Sequence, residues 1–251
     1  QLRRLCLVSD EYSKGRLHTT TRQCIQIHYV SLDRTPELWA ELEKDQITLR
    51  EACGNAVRNV TASIDAGINP DEAFDVSPYA HNLFEYFLRQ PFGQELGRKF
   101  KISVSGAEND NAFSFMHDVG LIAKIENGVK GFKVMVGGGL GAQPRLAECA
   151  YEFLPANEVV PFIESCVRLF DRFGERANRA KARLKYLIAD WGIDGLKEKI
   201  EEIKLSLTHQ TYELTEDIPR AYSGPNQNYQ TAPETLIEDQ EAYDLWYKTN
   251  V

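Results

Sequence analysis

The sequence predicts an α+β protein, a small strand-and-helix unit followed by a larger mixed α/β body, and three observations carry that prediction. Residues 16–30, RLHTTTRQCIQIHYV, alternate Ile25, Ile27 and Tyr29 with Gln26 and His28, the period of two of a half-buried strand. LIAKIE and VKGFKVMV flank Asn127-Gly128, a dipeptide suited to the positive φ angles of a tight hairpin turn. Ala80, Leu83, Phe84 and Phe87 recur at helical spacing.

Residues 1–14 read as a helix with Leu2, Leu5 and Val8 on its apolar side. The strand of residues 16–30 follows. It places Arg22, Gln26 and His28 on one face and Gln23, Ile25, Ile27 and Tyr29 on the other. The first face either meets water or holds a large anionic ligand; a guanidinium, an amide and an imidazole suit the second use. Thr35 is placed to cap the helix PELWAELEKD, with Pro36 at the first position, where it costs no hydrogen bond. These pieces look like the latter part of a ferredoxin-like unit.

ACGNAVRNV, residues 52–60, reads as a loop: Gly54 permits a tight turn, and Asn55 and Asn59 can hold backbone groups. Arg58 offers an oxyanion a permanent charge and a planar fork of donors. After a polar loop over 65–76, Ser77 is placed to cap a helix running to residue 90. In GRKFKISVSG, Lys99 and Lys101 stand two apart on a strand and so share a face. Side by side they repel, unless an anion sits between them or the strand is a lysine-protected edge. The run Gly137-Gly138-Gly139-Leu140-Gly141 is not the dinucleotide pattern G-x-G-x-x-G. It marks a close backbone approach and leaves its ligand open. Asn157 is placed to cap a long helix, residues 176–188 read as a basic helix broken at Trp191-Gly192, and residues 196–204 as the last helix. From residue 206 the composition turns polar, with prolines and a glycine, as in a connecting segment.

The chain has 251 residues, 43% hydrophobic and 26% charged, enough for one or two cores. A net charge of −8 argues against nucleic acid or a membrane surface as partner, and makes any local basic cluster stand out. No apolar run approaches the roughly 20 residues of a membrane helix. The five cysteines, Cys6, Cys24, Cys53, Cys149 and Cys166, are scattered, with no C-x-x-C pair. They read as free thiols of a reducing, cytoplasmic compartment, with no metal site of their own.

TTRQ-x-x-Q, ACGNAVRN and GRKFKIS occur in that order, and together they resemble the amino-terminal half of the siroheme-dependent sulfite and nitrite reductases. The resemblance runs over residues 1 to about 204. It implies a partial ferredoxin-like unit over 1–50, a siroheme-reductase repeat lacking cluster cysteines over 51–204, and an inter-half linker over 205–251. It implies a piece of a longer chain, since the strand usual before the first helix and the carboxy-terminal half are both missing. The cofactors implied are siroheme and a 4Fe-4S cluster whose ligands lie outside this chain.

By residue matching, Arg58, Lys99 and Lys101 are the expected catalytic residues, holding a small anion and donating protons. Arg22, Gln26, Arg98, His18, Thr21 and Asn59 are the expected cofactor-binding residues. Asn55 departs from the aspartate often found there. The implied partners are the carboxy-terminal half, a ferredoxin or flavoprotein electron donor, and a small anionic substrate. The implied reaction is the six-electron reduction of sulfite to sulfide in sulfur assimilation. Nitrite reduction to ammonia is the alternative, and Lys101, where ferredoxin-type nitrite reductases tend to carry asparagine, favours sulfite. A non-catalytic binding half and a nucleotide-dependent α/β enzyme using the glycine run are the rivals from other classes.

Overall fold

The computed structural model describes residues 1–216 and 239–250. Residues Gln1–Asp217 form one compact unit and Ile218–Val251 a second. Of the second, the described part holds one helix, α6 (Gln240–Asn250). The expected linker of 205–251 lies outside the described residues over 217–238.

The first unit opens with helix α1 (Leu2–Tyr12), strands β1 (Leu17–Thr19) and β2 (Ile25–Ile27), and helix α2 (Thr35–Glu43). Val8 of α1 meets Leu38 and Leu42 of α2 in a small core that Ile27 and Val30 close. A larger five-stranded sheet follows, ordered β3-β4-β5-β6-β7. Its strands are β3 (Val57–Ala62), β4 (Phe100–Ser105), β5 (Val119–Glu126), β6 (Val129–Val136) and β7 (Glu148–Pro155). β3, β4 and β5 run parallel, and β5, β6 and β7 antiparallel. The β3–β4 crossover contains helix α3 (Ser77–Phe87), and after β7 come α4 (Val159–Phe173) and α5 (Leu184–Lys204), which pack together.

The period of two explains which face of this sheet is core. Phe100, Ile102 and Val104 of β4, Val119 and Leu121 of β5, and Phe132, Val134 and Val136 of β6 are all fully buried in one cluster with α3, α4 and α5. Lys101, Ser103 and Ser105 therefore share the opposite face of β4. The Asn127-Gly128 turn joins β5 to β6 as its sequence predicts, both residues at positive φ.

Four expectations are corrected. Residues 16–30 are a hairpin and not one strand: His18 pairs with Gln26 across β1 and β2, and Thr20–Cys24 turn between them. The Thr20 hydroxyl accepts the Cys24 N–H at 3.1 Å, Gln23 takes φ 58°, and Tyr29, at φ 63°, leaves the strand 78% exposed. Residues 57–60 of the expected loop belong to strand β3. Thr35, Ser77 and Asn157 stand near helix starts, but none caps with its side chain. The Thr35 hydroxyl bonds back to Ser31 O, and Asp75 takes the Ser77 N–H. The basic helix begins only at Leu184, because side chains turn the backbone before it. Glu175 accepts the N–H groups of Ala177 and Asn178, Asn178 that of Ala180, and Arg183 is extended. Gly192, at φ 73°, breaks α5 as expected.

A candidate anion-binding cleft

A cleft of about 570 Å³ opens where the β1–β2 hairpin tip, the start of β4, residues 111–117 and the start of α5 converge. Thr21, Arg22, Lys99, Lys101, His117 and Arg183 line it, and no carboxylate is among its lining side chains. In a chain of net charge −8, four cations have been gathered at one place.

The hairpin turn delivers Arg22. Its guanidinium donates to Asn59 O and Ile102 O, spanning β3 and β4, and the Asn59 amide returns a bond to Arg22 O at 2.9 Å. Burial pulls the Arg22 pKa down to about 10, and its Nε is buried with no hydrogen-bond partner among the described residues. An unpaired buried donor is costly unless a ligand or water meets it.

Lys99 and Lys101 share a face, as their spacing requires, and both line the cleft. Burial, then Arg22, Lys99 and Arg183, pulls Lys101 down to about 8. Lys99 is lowered by burial and by Arg183, Arg98 and Arg58. Opposing this is one carboxylate behind the wall. Asp118, fully buried, accepts the Lys101 backbone N–H at 2.8 Å and the Arg183 fork at 2.8 and 3.0 Å. Burial pushes the Asp118 carboxyl up, and Arg183 resists that. His117 is pulled by burial to about 4 and so is neutral at pH 7; its Nδ1 lies 2.8 Å from Phe113 O, a carbonyl that can only accept, which leaves Nε2 unprotonated.

The glycine run backs this wall. Gly137 N–H donates to Asp118 O, Gly138 N–H to His117 O at 2.8 Å, and Leu140 and Gly141 reach the cleft. The close approach anticipated here is thus to the chain's own backbone. A Cβ on Gly138 would stand 2.4 Å from Phe115 O and 2.8 Å from His117 O, both backbone atoms that cannot swing aside. Gly138→Ala should therefore destabilise by at least about 1–3 kcal/mol, read as a lowered urea midpoint. An unchanged midpoint would show that this wall yields freely.

The other expected site residues stand apart from the lining. Arg58 spends its guanidinium on Gly54 O and Ala52 O, bracing its own loop, although its charge still weighs on Lys99 and Arg22. Arg98 is lowered by burial and by Arg179, Arg183 and Arg58. Asn59 acts from behind, on Arg22. His18 and Gln26 face each other on the exposed hairpin, and His18 lines a different hollow with His28 and Tyr29. Arg183, Asp118 and His117 were not singled out from the sequence. The local signal was a titratable pair, His117-Asp118, at the mouth of the apolar run VGLIA. Among the described residues no three His, Cys, Asp or Glu side chains stand close enough to hold a metal ion.

Comparison with known proteins agrees in both parts of the chain. Residues 1–45 match the nitrite/sulfite reductase ferredoxin-like half domain, and residues 53–207 the nitrite and sulphite reductase 4Fe-4S domain. A ferredoxin sulfite reductase of Mycolicibacterium paratuberculosis is 34% identical over 80% of this chain and 36% of its own length. An assimilatory ferredoxin-dependent nitrite reductase of Haloferax mediterranei is 34% identical over 86% of this chain and 37% of its own. The structure of the Mycobacterium tuberculosis NirA protein superposes with a TM-score of 0.74 at 31% identity, covering 87% of this chain and 40% of that one. A dissimilatory sulfite reductase, at 14% identity and TM-score 0.66 over 98% of this chain and 74% of that one, shares the fold. The chain thus spans little more than a third of the length of the two ferredoxin-dependent sulfite and nitrite reductases named first.

Proposed function

This chain belongs to the nitrite and sulphite reductase family, and from that premise we propose that it is the amino-terminal half of a siroheme-dependent reductase that takes sulfite to sulfide. The observation that carries the reading is the gathering of Arg22, Lys99, Lys101 and Arg183 around one cleft of an acidic chain. A tetrapyrrole rich in carboxylates, and an oxyanion beside it, is the kind of ligand that offsets such crowding.

The residues fit siroheme. Arg22 holds a buried N–H without a partner, and Thr21 stands beside it on the cleft. Arg22 and Thr21 would hold its carboxylates at the cleft, Asn59 would steady Arg22, and Arg98 and Gln26 from the matched motifs, with His18, would meet carboxylates that extend beyond the lining. When bound, the group would supply the iron at which the anion is reduced and would pass on electrons that come from the external donor. The chain's own contribution is charge and protons. Each oxygen that leaves as water takes two protons, and an ammonium whose pKa is lowered toward neutrality gives one up more readily. Lys99 and Lys101 have that character, and Arg58 adds a fixed positive charge. A 4Fe-4S cluster does not fit the described residues; on this reading its ligands lie in the carboxy-terminal half, and a ferredoxin or flavoprotein is the electron-donor partner.

The sulfite and nitrite reductase relatives are equally identical to this chain, so the preference for sulfite rests on Lys101. A second ammonium suits a dianion better than a monoanion. The test is the complete protein, purified and scanned: Soret and red bands with sulfite consumed from an artificial reductant are expected. A colourless protein retaining a nucleotide would overturn the reading. A pH dependence follows as well. Lys101 is charged below about 8 and loses its charge above it. Sulfate binding to this chain, measured by calorimetry, should weaken roughly fivefold as pH rises through and beyond 8, one charge being worth about 1 kcal/mol. Affinity flat from pH 7 to 10 would remove Lys101 from the anion site.

A further inference from the structure

We infer that Asp118 is a positioning residue of the cleft: one buried carboxylate, bonded to the Lys101 amide and forked to Arg183, fixes where both cations stand. The geometry is specific. Oδ2 takes the Lys101 N–H at 2.8 Å and Arg183 Nη2 at 2.8 Å, while Oδ1 takes Arg183 Nη2 at 3.0 Å and Nε at 3.2 Å. Asp118 is fully buried at the start of β5, next to β4 in the sheet, so it touches the backbone that aims Lys101. Arg183 comes from the far end of the fold, in the extended residue just before α5. Repulsion from Arg22, Lys99 and Lys101 would drive its guanidinium outward; the Asp118 fork holds it at the cleft.

The charges facing Lys101 are Arg22 from the hairpin, Lys99 from just before β4, Arg183 from just before α5, and Asp118 from just before β5; His117, beside Asp118, is neutral at pH 7. Among the described residues, Asp118 is the negative group that favours the charged form of a lysine surrounded by cations. Its loss leaves Lys101 harder to charge and frees Arg183. The role in turnover rests on the proposed reductase reading, whereas the coupling of Asp118 to Lys101 does not.

Asp118→Asn is nearly isosteric and keeps an acceptor for the Lys101 amide. In the 251-residue chain, NMR titration of the lysine side chains should show the Lys101 midpoint falling by about one pH unit, with falls at Lys99 and Lys185, which Asp118 also favours in their charged form, and the remaining lysines holding still. A Lys101 midpoint unmoved in the folded variant overturns the proposal. Should the variant fail to fold, the unsubstituted chain decides. There the Lys101 amide proton should shift as the Asp118 carboxyl carbon titrates, and independent behaviour of the two overturns the coupling. In the complete protein, Asp118→Asn should move the alkaline limb of sulfite kcat/KM to lower pH, with Arg183→Lys retaining the original limb. A limb fixed in place overturns the positioning role. No turnover by the unsubstituted complete protein overturns the reductase reading instead and leaves the titration result standing.

Discussion

Replacing Phe132 by alanine should cost about 3–5 kcal/mol of folding stability. Phe132 sits in mid-strand on β6, 0% exposed, between Ala123 of β5 and Leu154 of β7. The rings of Phe74 and Tyr79 meet it edge-on at centroid distances of 5.5 Å. Truncation removes the transfer free energy of the ring and both aromatic contacts. Hydrogen-bonded strands on either side keep the sheet from closing on the cavity, so most of the vacated volume stays empty. The measurement is urea denaturation, with a lower midpoint at unchanged slope. Val129→Ala, on the same strand but half exposed, is the control and should stay within about 0.5 kcal/mol. A loss under about 1 kcal/mol at Phe132 would mean that the site repacks.

This core was legible because its strands are long and one-sided. In β4, β5 and β6 the apolar residues alternate over six to eight positions and the hairpin between β5 and β6 carries Asn-Gly. Residues 16–30 misled because the alternation covers only three true strand residues, Ile25–Ile27. The turn before them is built by the Thr20 hydroxyl and a left-handed Gln23, with no glycine, proline or asparagine to announce it. Strand β7 went unread for another reason. It is an edge strand whose register against β6 shifts twice, so Glu148 and Glu152, paired with Arg145 and Lys133, fall at the same parity as the buried Ala150 and Leu154 and the period of two is lost.

The cleft was legible where its chemistry is local. Lys99 and Lys101 share a face by spacing alone. Arg22, although read onto the wrong element, reaches the cleft because a turn tip projects as far as a strand face does. Arg183 and Asp118 stand 65 residues apart, and no window of sequence joins them. Arg58 shows a different limit: its sequence did not announce that the carbonyls of Ala52 and Gly54 in its own turn would take its guanidinium. What a sequence can give in such cases is the demand, a carboxylate at the mouth of a buried strand that needs a cation, and the fold decides which cation answers.

In the complete reductase, Lys101→Asn should lower sulfite kcat/KM by roughly 10- to 100-fold, on the order of 1–3 kcal/mol of lost transition-state stabilisation. Asparagine keeps a hydrogen-bond donor and removes both a charge and an acid. The charge matters because the Lys101 side chain is largely withdrawn from water, where an electrostatic contact is weakened less than at the surface. The substitution also relieves repulsion on Arg22 and Lys99, which lets those two hold their own charges more firmly and keeps the loss finite. Nitrite is smaller and singly charged, so its kcat/KM should fall by a smaller factor. Siroheme content should not change, since Arg22 and its partners on β3 and β4 keep every bond they make to the backbone. Steady-state kinetics with an artificial reductant on both anions, beside the absorption spectrum, gives the answer. Equal losses for the two substrates would remove charge as the cause, and loss of the absorption bands would move Lys101 from the substrate to the cofactor.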